Sequence, residues 1–190
     1  MLYRIIGSNI PALEIVALIF AYFLALTIAF GMHEFSHAFV SYKLGDPTPR
    51  LTGRLTPNPI KHVDPLGLVC LLLFGFGWGK PVMVNPLNYK HYKRGMVMVS
   101  LAGVTMNLIL AFLFSGIYYF VFPLIYASRN MMLVCINYFL EYMVILNLSL
   151  FAFNLLPIFP LDGFNFVKSI LPGACGSKFE YLLSLTISLI

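Results

Sequence analysis

His33, Glu34 and His37 form a His-Glu-x-x-His pattern inside the stretch "GMHEFSHAFV". On a helix, residues four apart lie on one face, one turn above each other. The two imidazoles could then chelate one Zn²⁺, with Glu34 beside it to take a proton from water. With four His in 190 residues, chance yields the pattern in roughly two of a thousand such chains. The bland reading is a pair of packed histidines. It is weakened by Glu34, because a charged residue within an apolar span is costly unless it has a function.

A hydrolytic zinc site takes three protein ligands and leaves one position open. The candidates for the third are Asp64, Asp162, His62 and His91. Asp162 stands in "PIFPLDG", where Pro157 and Pro160 interrupt an apolar segment. Irregular backbone at membrane depth is tolerated only where protein or water covers it, so this carboxylate is expected to turn inward. The competing role is capping of the helix that starts at "DGFNF". Asp64 and His62 lie in a loop and are the weaker candidates.

The elements that must position these groups are membrane spans. Hydrophobic residues make up 60% of the chain and charged residues 10%, against about a quarter charged in soluble domains. Apolar segments cover about 10–44, 96–122, 131–156 and 178–190, and about 20 residues suffice to cross a bilayer. The last is still apolar at Ile190 and is expected to continue. The first is too long for the 7–15-residue core of a signal peptide, so it is read as a retained span. Residues 45–95 form the insertion between spans. Its first part, 45–67, is rich in Pro, Gly and Thr, which points to turns and short extended pieces. Residues 66–79 are apolar but short, as in a re-entrant or interfacial segment, and "VMV" at 82–84 could be a short strand. The expected fold is therefore an all-α polytopic membrane protein: one 190-residue helical bundle with a re-entrant, β-like insertion on its cytoplasmic side.

Basic residues concentrate in 43–94 and recur at Lys168 and Lys178. The positive-inside rule makes those regions cytoplasmic and the 123–130 link external. The first and third spans then end on the same face, which brings Asp162 to the side of His33 and His37. The pI near 9.2 is explained by this flanking charge, and nucleic acid is excluded as a partner. Lys90, Lys93 and Arg94 are expected to meet lipid head groups. The three cysteines, Cys70, Cys135 and Cys175, are far apart and read as packing residues.

"HEFSH" in one span and "NLLPIFPLDG" in a later one resemble the site-2 protease family of intramembrane zinc metalloproteases. The stretches "GDPTPRLTGRLTPNP" and "KHVDPLG" are similar to its compact bacterial and archaeal branch without PDZ domains. The resemblance implies one Zn²⁺ per chain held by His33, His37 and Asp162, with Glu34 as the group that activates water. It also draws in Asn107, in "SLAGVTMNL", where family members often read Gly-Pro-x-x-Asn; here Val104 replaces the proline. An amide there could donate to a developing oxyanion. It could equally make an interhelical hydrogen bond next to a close contact at Gly103. Asn154 is a candidate for orienting the broken segment.

The expected function is zinc-dependent hydrolysis of peptide bonds in or near transmembrane segments of membrane proteins, about 10–16 Å from the cytoplasmic end of the first span. The partners are a transmembrane substrate and the bilayer; oligomeric state is not specified by the sequence. The alternative is a non-proteolytic, zinc-binding membrane scaffold. A metal transporter ranks last, because only Glu14 and Glu141 offer further carboxylates in the spans.

Overall fold

The computed structural model describes residues 11–67, 70, 79–126 and 130–171. Three helices are long and apolar enough to cross a membrane. They are α1 (Ala12–Lys43), α3 (Tyr92–Tyr126) and α4 (Met131–Asn154). Between α1 and α3 lie a one-turn α2 (Thr48–Leu51) and two 3-10 turns, Pro59–His62 and Pro86–Asn88. A short α5 (Asp162–Ile170) follows α4. The protein is an all-α polytopic membrane protein. The re-entrant expectation for 66–79, the segment at 178–190 and Cys175 fall mostly or wholly outside the described residues.

Helix α1 packs through one stripe. Ala21, Ala25, Ala29, His33, His37 and Ser41 are all buried, and each is four residues from the next. The alanines let neighbouring backbones approach closely, as small residues do in membrane bundles. The lower part of the stripe joins Leu18, Tyr142 and Met143 in the apolar core against α4. The upper part replaces alanine by imidazole at the same register. The two imidazoles therefore continue the packing ridge, which aims them into the bundle. Large side chains such as Phe20, Phe112 and Phe120 face outward, where lipid would meet them.

The insertion is organised by one aspartate. Asp46 is fully buried and accepts from Ser41 Oγ at 2.9 Å, Thr48 Oγ1 at 2.6 Å and Thr48 N at 3.1 Å. It also accepts from Asn85 N at 2.7 Å and Asn88 Nδ2 at 2.8 Å. Because the Ser41 proton goes to the carboxylate, the Tyr89 hydroxyl 2.8 Å away donates to Ser41 Oγ. Burial acts to raise the Asp46 pKa, but the bonds from Thr48, Asn85 and Asn88 outweigh it and hold it at about 2. These bonds tie the end of α1 to the segment that enters α3.

The expected strand at 82–84 does not form. Among the described residues the only β pairing is an isolated bridge between Val63 and Gly79. Pro81 has no donor, Val82 N–H goes to Glu34 and Asn85 N–H to Asp46. Carboxylates take the donors that a ladder would need.

Candidate active site

His33 and His37 come from α1 and Asp162 from the first turn of α5. The Nε2 atoms of the two histidines are 3.1 Å apart. Asp162 Oδ2 is 3.2 Å from His33 Nε2 and 3.1 Å from His37 Nε2. Ligands held about 2.0–2.2 Å from a tetrahedral zinc lie about 3.3 Å from each other, so the triangle is close to the size such an ion requires. Among the described residues this is the one group of three His, Cys, Asp or Glu side chains able to share a metal.

The chemistry of the donors agrees. His37 Nδ1 is 2.8 Å from the Val99 carbonyl oxygen, which can only accept. A neutral His37 thus carries its proton on Nδ1 and turns a bare lone pair inward from Nε2. Asp162 Oδ2 is buried and has no partner besides the two imidazole nitrogens. Unshared lone pairs crowded together in a buried site call for a cation. The residues present therefore fit Zn²⁺.

Two local features make this convergence possible. Gly103 on α3 faces the imidazoles: a Cβ there would lie 2.5 Å from His33 Cε1 and His37 Nε2. At Gly163, a Cβ would run into the Leu155 carbonyl, so glycine lets α5 fold tightly back on the end of α4. The helix cap is not where the Asp162 carboxylate goes. Leu161 is the N-cap of α5, without a side-chain cap bond.

Glu34 opens on a cavity of about 350 Å³, lined among others by His33, His37, Pro81, Val82 and Asp162. Its Oε2 accepts from Val82 N at 3.1 Å. The other candidate ligands lie apart. Asp64 caps its own turn by accepting from Leu66 N and Gly67 N. The buried His62 faces the Thr56 carbonyl at 3.0 Å, and His91 is exposed at the surface. Asn107 is completely buried and makes the interhelical contact, its Nδ2 lying 3.1 Å from His33 Nδ1. Asn154 donates to the Leu150 carbonyl within α4 and lines the cavity. Val82 and Val99 could not be picked out from the sequence, because both act through main-chain atoms that every residue has.

Comparison with known proteins gives the same direction. The chain is 43% identical over 159 residues to a Bacillus subtilis (strain 168) protein that bears the name "Putative zinc metalloprotease YwhC", a match covering 82% of this chain and 71% of that one. Rip2 of Mycobacterium tuberculosis (strain H37Rv), whose name has the same first three words, is 33% identical over 143 residues, 72% of this chain and 52% of Rip2. Rip2 of Mycolicibacterium smegmatis is 33% identical over 139 residues, 70% and 51% of the two chains. The chain thus spans about half the length of the Rip2 proteins. No family model matches the chain, and no solved structure does. With His33, His37 and Asp162 brought together and 43% identity over most of YwhC, the chain belongs to the site-2 protease family of zinc metalloproteases.

Proposed function

We propose that this chain is a zinc-dependent endopeptidase that cuts peptide bonds in or near transmembrane segments of other membrane proteins, as in regulated intramembrane proteolysis. The carrying observation is that His33, Glu34 and His37 lie on a helix long enough to span and that Asp162 from α5 meets the two histidines there. The whole chain acts as one unit in the cell membrane, with the site nearer the cytoplasmic face. Glu34 lies about 14 Å along α1 from Lys43, at 1.5 Å per residue.

One Zn²⁺ held by His33, His37 and Asp162 would supply a Lewis acid that polarises the scissile carbonyl and acidifies water. Glu34 is the proton carrier. It takes a proton as the water oxygen attacks the carbonyl carbon, then passes it to the leaving amine nitrogen as the C–N bond breaks. The Val82 N–H holds one oxygen of Glu34 and fixes the carboxylate's direction. Pro81 and Val82 form a wall of the cavity, along which an unwound substrate segment can lie. Unwinding is required, because a helical substrate keeps its carbonyls in its own hydrogen bonds.

The test uses purified, zinc-loaded protein and a panel of fluorogenic transmembrane peptides in detergent micelles. Glu34→Gln should keep its zinc and lose about 10²- to 10⁴-fold in cleavage rate, the usual contribution of a general base. Equal cleavage by Glu34→Gln and wild type would refute the assignment. A wild type that keeps zinc but cleaves no peptide would favour the scaffold reading.

A further inference from the structure

The two histidines of the triad are held by their second ring nitrogens in different ways. His37 Nδ1 faces a main-chain carbonyl, Val99 O, at 2.8 Å. His33 Nδ1 faces a side-chain amide, Asn107, at 3.1 Å. Both partners come from α3. Asn107 is 0% exposed and its Oδ1 has no hydrogen-bond partner. A buried amide oxygen without a donor is costly. The amide nitrogen and oxygen exchange places by a half-turn of the side chain. After that turn the orphan oxygen faces His33 Nδ1.

A histidine that binds a metal through Nε2 carries its proton on Nδ1 and needs an acceptor there. We infer that Asn107 is a positioning residue for His33: its side-chain oxygen accepts the His33 Nδ1 proton when the triad is loaded, as the Val99 carbonyl does for His37. This rests on the zinc-protease reading and assigns Asn107 to the metal ligand, with the acting atom its oxygen. The alternative, donation from Nδ2 to a substrate oxyanion, uses the opposite end of the amide. Burial argues against it, since Asn107 has no exposed surface to meet substrate.

The difference between acceptor and donor gives the test. Zinc affinity is measured by chelator competition on purified wild type, Asn107→Asp and Asn107→Leu. Leucine keeps the branched outline, with more bulk, and removes the acceptor; aspartate keeps the acceptor and removes the donor. Asn107→Leu should bind zinc about 10–100-fold more weakly, the usual cost of losing such a partner. Asn107→Asp should stay within a few-fold of wild type. Wild-type affinity in Asn107→Leu, or equal weakness in both variants, overturns the inference while leaving the zinc site standing. A wild type that takes up no zinc overturns both. If either variant fails to fold, zinc-loaded wild type labelled with ¹⁵N-histidine decides. The inference requires two rings with protonated Nδ1 and metal-bound Nε2. A His33 ring bound through Nδ1 would overturn it.

Discussion

Asp46 is buried and Asp162 half-buried, and their surroundings separate structure from chemistry. Asp46 accepts from Ser41, Thr48, Asn85 and Asn88, all neutral donors supplied by the protein. Its charge is answered by the protein's own donors. Asp162 Oδ2 has two imidazole nitrogens within 3.2 Å and no other partner. Its charge is left for a ligand from outside. A buried carboxylate is therefore a functional group to the extent that its own fold fails to satisfy it.

Exchanging the fates of the two aspartates tests that contrast. Asp162→Ala should have the largest effect. It removes one of three ligands, so zinc affinity should fall by more than the roughly 100-fold that an outer partner is worth. Thermal unfolding of the metal-free protein should hardly change. A variant that kept its zinc would break the comparison at once. Asp46→Ala should do the reverse. It strands several buried donors, each bond to a charged group being worth roughly 1.5–3 kcal/mol, so a loss on the order of 3 kcal/mol is expected in unfolding experiments. The folded fraction should still bind zinc like wild type.

The pH dependence sharpens the same point. The Asp46 carboxyl is held below its ordinary value near 3.8, at about 2. Its stabilising contribution is complete above the unfolded value and fades as pH falls toward the folded one. Unfolding midpoints of wild type and Asp46→Ala, well separated at pH 6, should converge as pH drops from about 4 to about 2. The smallest effect belongs to Ser41→Ala, which removes a single donor and leaves the Tyr89 hydroxyl without its acceptor. It should cost about 1 kcal/mol.

The meeting of His33, His37 and Asp162 was more legible in the sequence than the Asp46 cluster, for physical reasons. The spacing of His33 and His37 is a property of any helix, and the prolines before Asp162 mark where a span must break. Charge in the loops then brings the ends of α1 and α4 to one face. Asp46 reads as an ordinary turn residue in "GDPTPR", because its donors Asn85 and Asn88 are 39 and 42 residues away in the chain. Spans were legible because apolar length alone defines them; α1 begins and ends within about two residues of its expected limits. The strand at 82–84 was misread because its donors turn to Glu34 and Asp46, which alternation of side chains does not reveal. Asn107 reads as a donor to a developing oxyanion or as an interhelical contact, and only the structure names His33 as its partner.

Gly103 sets a limit on redesign of the metal centre. Any Cβ at that position would lie 2.5–2.6 Å from atoms of both imidazoles, too close for any other amino acid unless α3 or the imidazoles shift. The face of the site toward α3 is therefore closed to new ligands at this register. An engineer seeking a four-coordinate structural zinc, or a site tuned to a different ion, must work from the side of Asp162 and the 80–84 segment. That is also the side on which a peptide would enter, so a fourth protein ligand and a substrate would compete for the same space.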